Sequence, residues 1–259
     1  MKNTTHLASM AAVLLLCSCT YGQIIVNSGG DARVFTSNTT ANGGNTNSGA
    51  LIGLNTGGVD NVLLHDFSNL SALAGQTVTG ATLTAGIAVG FTNANHGSTA
   101  DIITLNEIAI GNAGWIQGTS AVTAGSATDG SVSWDFQSTT GDGNDVQWVD
   151  ASGASVGNIL GAFSTVATTP GYDQGTGGNP PLDGNLTFNI GAATAQDWVD
   201  NGLAGLALHT NDDGDSRSRF NFLQPDFWQI EFTVEAVPEP STGIVVLLAG
   251  LLGLKRRRR

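Results

Sequence analysis

Residues 82–91 read TLTAGIAVGF, and their alternation decides the fold class. Leu83, Ala85, Ile87, Val89 and Phe91 fall on one face of an extended chain, with Gly86 and Gly90 on the other. A period of two marks a strand with one dry face. The period returns in SVSWDFQ (131–137) through Val132, Trp134 and Phe136, and in NLTFNIG (185–191) through Leu186, Phe188 and Ile190. It appears again in GLAGLALHT (202–210) through Leu206 and Leu208, and in FWQIEFTVEA (227–236) through Trp228, Ile230, Phe232 and Val234. Gly-, Asn- and Asp-rich stretches separate these runs. GGNTNSG (43–49) and QGTGGNPPLDGN (174–185) read as surface connections within one domain. One segment breaks the pattern: ATAQDWVDNG predicts a short helix over 193–200, stopped by Asn201-Gly202. Antiparallel strands with one apolar face need a second sheet to cover them. The expectation is therefore an all-β, two-sheet antiparallel β-sandwich, jelly-roll-like, with one short helix.

The chain has 259 residues, 36 of them glycine, and 12% charged side chains, a globular composition. Its charge is segregated. Lys2 lies near the start and Lys255 to Arg259 at the end, so residues 23–240 keep only Arg33, Arg217 and Arg219. Those three cations stand against all 21 acidic residues, leaving a formal charge of −18. Such a body repels phosphate backbones, which excludes nucleic acid as a partner. Cys17 and Cys19 are the two cysteines, and both precede the body. Once a leader is removed, disulfides, thiolate metal sites and cysteine nucleophiles are excluded together.

Both ends read as addresses. Lys2 and His6 precede an apolar run from Leu7 to Leu16 and then CSCTYGQ (17–23), the layout of a secretory signal peptide read by the Sec export machinery. Thr20 and Gly22 suit positions −3 and −1, which places cleavage after Gly22 and a mature start at Gln23. Lipoprotein processing at Cys19 is the rival, because Leu16-Cys17-Ser18-Cys19 loosely resembles a lipobox. Either route exports the chain.

The other end is AVPEPSTGIVVLLAGLLGLKRRRR (236–259), in which Pro238-Glu239-Pro240 precedes an apolar run and a basic terminus that includes Arg256, Arg257, Arg258 and Arg259. This order closely resembles the PEP-CTERM sorting signal of Gram-negative bacteria. The resemblance implies recognition by a membrane-embedded exosortase and delivery to the cell surface or extracellular matrix. Gly243 to Leu254 as a C-terminal hydrophobic helix would extend about 18 Å at 1.5 Å per residue, against a hydrocarbon core of about 30 Å. That length suits a transient anchor in the inner membrane. The basic cluster would stay on the cytoplasmic side, leaving the prolines where a processing enzyme can reach them. An ordinary anchor that is never cut is the alternative. The expected division is a signal peptide over 1–22, a β-sandwich over 23–236 and a sorting tail over 237–259.

The order of motifs in the body also resembles the DNRLRE-type, or CBM96-like, β-sandwich domains of secreted bacterial proteins. DARVF (31–35), NTNSGALIGL (45–54), VLLHDFSNL (62–70) and QTVTGATLTAGIAV (76–89) are similar to that family's first strands. NAGWIQGTS (112–120) with GSVSW (130–134) is similar to its middle. NGLAGLALHTND (201–212), SRSRFNF (216–222) and a final strand are similar to its end. His65 stands where the family's strand would carry an arginine. The resemblance implies a polysaccharide as one class of ligand, since some relatives bind acidic or neutral polysaccharides.

Motifs of chemistry are few. GASVG (153–157) has the G-x-S-x-G spacing of a nucleophile elbow at Ser155, but that device needs a strand before the serine and a helix after it. His65, His96 and His209 show no metal-pair spacing. Asn211, Asp212, Asp213 and Asp215 gather oxygen donors suited to a structural Ca²⁺, as do Asp142, Asn144 and Asp145; the alternative is acidic turns whose side chains cap the backbone. Trp115 and Trp148 adjoin loops and are the candidates for stacking on sugar rings, with core packing as the alternative; Trp134 and Trp228 lie on apolar strand faces. Arg217 and Arg219 either pair with neighbouring aspartates or meet an acidic glycan. The expectation is a non-catalytic surface or matrix protein working by adhesion or glycan binding. A structural matrix component and an extracellular polysaccharide hydrolase are the alternatives.

Overall fold

The computed structural model describes residues 22–36, 50–52, 59–86, 102–117, 130–168, 185–210, 218–220 and 228–235. The chain divides into one unit, Gly22–Val234, and a second made of Met1–Tyr21 with Glu235–Arg259. Every described strand and helix belongs to the first. In chain order the strands are β1 (Gly22–Asn27), β2 (Gly30–Phe35), β3 (Ala50–Ile52), β4 (Asn61–Asp66), β5 (Val78–Gly86), β6 (Ile103–Ile108) and β7 (Phe136–Ser138). They continue with β8 (Val146–Gln147), β9 (Phe163–Thr168), β10 (Asn185–Ile190), β11 (Leu206–Thr210), β12 (Ser218–Phe220) and β13 (Trp228–Val234). One α-helix, α1 (Ala192–Asn201), lies between β10 and β11.

Two sheets carry the fold. One has four strands in the order β1-β13-β5-β10, and the other has five in the order β2-β4-β11-β6-β9. Early and late strands alternate in the four-stranded sheet, and in the five-stranded sheet the late β11 lies between the earlier β4 and β6. The pairing within both sheets is antiparallel. Register sets the large side chains across from one another: Ile230 faces Leu83, which faces Phe188 on its other side. These rows meet Leu63, Leu105, Leu206 and Leu208 of the five-stranded sheet in one apolar cluster, so the two sheets close as a sandwich. The period-two readings of β5, β10, β11 and β13 hold wherever those residues are described; 87–91 lie outside them.

The five-stranded sheet departs from the expected one wet face. Val62, Leu64, Ala32, Val34 and Ala207 point away from the sandwich interior into a second apolar cluster with Trp115, Val132, Trp134, Trp148 and Ile159. Trp115, Val132, Trp134, Trp148 and Ile159 thus cover the outer face at β2, β4 and β11, and β4 is buried on both sides from Asn61 to His65. This cover is built with little regular pairing. Val132 and Trp134, expected on a strand, are buried but precede β7, and Ser131 makes only an isolated bridge to Thr139. Buried Asn112 substitutes for strand pairing: its Nδ2 donates to the carbonyls of Ala109 (3.0 Å) and Val149 (2.9 Å), and its Oδ1 accepts from the Val149 N–H (2.9 Å).

Helix α1 agrees with its sequence signals. Gly202 caps it at φ 89°, a conformation that favours glycine. Trp198 is wholly buried, and its indole N–H donates to Glu107 Oε2 at 2.8 Å, pinning the helix to β6. Among the described residues no helix is long and apolar enough to cross a membrane. The signal peptide and the C-terminal hydrophobic helix fall outside the described residues.

Phe232 is wholly buried between the sheets. Phe232→Ala should lower unfolding free energy by about 3–5 kcal/mol, whereas Ile102→Thr, at a half-exposed position, should stay within about 0.5 kcal/mol. Denaturant unfolding of the two purified variants checks this; equal losses would contradict the assigned core.

Candidate functional site

The sandwich closes at the two-residue connection between β1 and β2, and polar chemistry concentrates there. The Ser28 N–H donates to the Trp228 carbonyl (3.1 Å) on one sheet, and the Gly29 N–H donates to the Asp66 carbonyl (2.8 Å) on the other. Antiparallel register then sets Asp31 directly across from His65. Directly opposed residues share a face of the sheet, so a carboxyl and an imidazole stand on the same face, both buried, with Asp31 4% and His65 1% exposed.

Hydrogen bonding fixes the tautomer of His65. The Ser28 hydroxyl gives its one proton to the Gly30 carbonyl at 2.8 Å, and its Oγ lies 3.1 Å from His65 Nδ1. Nδ1 is therefore the donor, and Nε2 carries the lone pair. Among the described residues Nε2 has no hydrogen-bond partner. The ring stacks on Trp228 of the opposite sheet, with centroids 3.7 Å apart and planes 15° apart. Burial pushes the imidazole down to about 3, so it stays neutral at physiological pH. A base so weak and so enclosed is unsuited to activating Ser28 as a nucleophile.

Asp31 is perturbed in the opposite sense. Its Oδ1 accepts from Gln117 Nε2 at 2.5 Å, while Oδ2 has no partner among the described residues. Burial raises its carboxyl to about 7, against a smaller lowering from its own backbone hydrogen bond. Nothing in the sequence pairs Asp31 with His65 until the register of β2 on β4 is known. The unbroken run VLL (62–64) ahead of His65 is the one signal of a strand buried on both faces.

Beside this buried pair lies an open cleft of about 320 Å³ lined by Ile25, Asn27, Gly29, Asp66, Asn69 and Ser71, among others. Ser71 Oγ donates to Asn69 Oδ1 (2.8 Å), and Asp66 Oδ1 accepts the Ser68 N–H (2.8 Å). The cleft runs along one edge of β1, where Ile25 is 54% exposed.

The tryptophan sites require correction. Trp115 is buried and its indole N–H donates to the Ala204 carbonyl (2.8 Å); Trp148 is wholly buried and donates to the Ser133 carbonyl (3.1 Å). Both rings belong to the cover over the five-stranded sheet. A sugar-stacking platform needs an exposed ring face, which neither offers. Adjacency to loops misleads here because the loops themselves lie on an apolar sheet.

The acidic turn at 140–145 serves the backbone. Asp145 Oδ1 accepts the Thr140 N–H (2.7 Å), and Asp142 Oδ1 accepts from the Thr140 hydroxyl (2.5 Å) and the Asn144 N–H (3.0 Å). These bonds, the Thr140 hydroxyl first, lower Asp142 to about 2. Among the described residues no three His, Cys, Asp or Glu side chains are placed to share a metal ion. Asn211, Asp212, Asp213 and Asp215 lie outside the described residues, as do His96, Arg217, Pro238, Glu239, Pro240 and Arg256 to Arg259; of Arg219 only the strand pairing in β12 is described. His209 Nε2 meets Asp60 at 2.9 Å, tying β11 to the start of β4. Ser155 bridges Val149 and is followed by a 3₁₀ turn at Ile159–Ala162, so the strand–serine–helix context of a nucleophile elbow is not met.

Residues 236–259 match the family model described as the PEP-CTERM protein-sorting motif. A chain bearing this motif is exported to the cell envelope or surface and sorted by exosortase. None of the curated proteins matches the chain.

The two buried groups give opposite pH dependences. His65, lowered in the folded state, contributes stability that is full above 6.5 and lost as pH falls toward 3. Asp31, raised in the folded state, contributes stability that is full below 3.8 and lost as pH rises through 7. Asp31→Asn keeps the acceptor for Gln117 and removes only the second effect. Its melting temperature should exceed that of the unaltered protein at pH 8, with the gain shrinking steadily toward pH 4. A difference constant with pH would contradict the buried, protonated carboxyl.

Proposed function

We propose that this protein is a non-catalytic component of the bacterial exterior, a cell-surface or extracellular-matrix β-sandwich that works by adhesion. The match of residues 236–259 to the PEP-CTERM motif carries the reading, because it assigns the chain an exit route and a processing enzyme. The physical character of the body accords with that address. It is strongly acidic and has no cysteine from which to form a disulfide.

Adhesion here means holding a polysaccharide, holding other copies of the same chain, or both. The first is supported by the resemblance of the motif order to DNRLRE-type, CBM96-like domains, and a Ca²⁺ held by Asn211, Asp212, Asp213 and Asp215 belongs to the same proposal. The second, a structural role in a matrix, is favoured by one observation: Trp115 and Trp148 are spent on the core. In this reading the Sec machinery carries the chain across the inner membrane of a Gram-negative cell. The short apolar helix then holds it there until exosortase cuts near Pro238-Glu239-Pro240.

Intact mass spectrometry of protein recovered from the cell exterior should show chains that begin at Gln23 and lack residues 241–259. Mature protein that retains the full basic tail would contradict exosortase processing. Retention of the same material on immobilised polysaccharides, with and without Ca²⁺, tests the glycan arm. Failure of every polysaccharide to hold it removes that arm and leaves the matrix role.

A further inference from the structure

The cleft beside β1 combines a fixed frame with polar atoms that the fold does not use. Ile25 and Asn27 of β1 line one side, and Asn69 and Ser71 of the loop that follows β4 line the other. Gly29 and Asp66 tie the two sides together, because the Gly29 N–H donates to the Asp66 carbonyl. The loop is held from within: Phe67, Leu70 and Leu73 are buried in the core cluster, and the Leu73 N–H closes a turn on the Leu70 carbonyl at 2.9 Å. A loop anchored at every third residue keeps the residues between its anchors in place.

Three side chains retain hydrogen-bonding capacity. Asp66 Oδ1 accepts the Ser68 N–H, which fixes the carboxylate and leaves Oδ2 without a hydrogen-bond partner among the described residues. Ser71 Oγ donates to Asn69 Oδ1, an orientation of the amide that leaves the donor Nδ2 over. The Asn27 side chain, exposed on β1, makes no hydrogen bond among the described residues. Gly29 keeps the carboxylate approachable: a Cβ there would stand 3.2 Å from Asp66 Oδ2 and fill the space beside it. Ile25, half-exposed, adds an apolar surface.

We propose that this cleft binds a sugar residue of a neutral polysaccharide. The assignment rests on the glycan arm of the function proposed above and gives that arm a place, since the Trp115 and Trp148 rings belong to the core. A sugar hydroxyl both donates and accepts. By donating to Asp66 Oδ2 and accepting from the amide of Asn69 or Asn27 it uses both capacities, while the C–H face of the ring covers Ile25. The bond to the carboxylate is the strongest of this set. A volume of about 320 Å³ suits one ring, and the open form of the cleft lets the neighbouring rings of the chain lie outside it.

Charge selects the neutral class. Glu231 stands directly across from Ile25 and so shares its face of the sheet. Together with Asp66 it sets negative charge at the cleft of a body whose formal charge is already −18. A uronic acid or sulfated chain is repelled. A Ca²⁺ ion meets Asp66 as the charged group among the lining side chains named above, and a tight calcium site draws on more carboxylates than that.

Native gel electrophoresis of the full-length chain in mild detergent, through gels cast with dextran, galactomannan or polygalacturonate, tests the assignment. Retardation against polymer concentration reads the dissociation constant. The unaltered chain should be retarded by dextran or galactomannan and not by polygalacturonate. Asp66→Asn keeps the acceptor for Ser68 and removes the charge; it should weaken binding by about tenfold or more. Asn69→Ala, at an exposed position, and Gly29→Ala, which crowds Oδ2, should weaken it as well. Val146→Thr, outside the cleft, should not. Melting temperatures separate lost binding from lost folding, and should Asp66→Asn fail to fold, Asn69→Ala decides.

Retardation by a neutral polymer that survives Asp66→Asn and Asn69→Ala unchanged overturns the cleft as the site and leaves the glycan reading standing. Retardation by polygalacturonate alone overturns the neutral class. No retardation by either neutral polymer also overturns the assignment; the glycan reading itself falls only if every polysaccharide in the retention experiment above fails as well.

Discussion

Burial of β4 and β11, inside the five-stranded sheet, on both faces is the constraint on which the rest of the structure depends. A body without disulfides holds its layers chiefly by apolar contact. Here the inner face of that sheet packs on β5, β10 and β13, while its outer face packs on Trp115, Trp134 and Trp148. β4 and β11 sit in the middle of both contacts. Gly205 shows how close the layers come: with φ at 151°, a Cβ there would stand 2.8 Å from the His65 carbonyl and 2.9 Å from the Trp115 indole nitrogen. The glycine lets the start of β11 pass between β4 and the cover.

The same enclosure explains the chemistry of Asp31 and His65. A strand covered on both faces carries every side chain it has into a dry environment, polar ones included. His65 is kept neutral, held by Ser28 on one edge and by the Trp228 ring on its face. Asp31, across the ladder, is pushed toward its protonated form and held by Gln117 from beyond the strand pair. These groups join the two sheets at the end where the chain crosses between them. They are a closure of the sandwich, with the open cleft alongside.

Much of the architecture was legible in the sequence because the four-stranded sheet has one wet face. β5, β10 and β13 alternate, and the alternation is what a half-buried strand looks like. α1 was legible from its stop at Asn201-Gly202. The cover was not. Val132 and Trp134 are spaced like a strand and are indeed buried, but their spacing reports burial rather than ladder hydrogen bonds, and they lie outside β7. Trp115 and Trp148 looked exposable because their neighbours are loop residues; what buries them is a sheet face contributed by residues far away in the chain. The Asp31–His65 pair and the open edge of β1 depend on register and strand order, which no local pattern contains. The sorting tail, by contrast, was readable without any structure, since its meaning lies in the order of prolines, apolar residues and arginines.

The central claim is that the tail delivers this acidic sandwich to the cell exterior. Protease shaving of intact cells, comparing the unaltered chain with one in which Pro238, Glu239 and Pro240 are all replaced by alanine, tests it most directly. The account predicts that the unaltered body is accessible from outside and absent from the inner membrane, while the altered chain stays in the inner-membrane fraction, protected until the outer layer is opened. Equal accessibility of the two chains, or an unaltered body that remains in the cytosol with both ends intact, would contradict it.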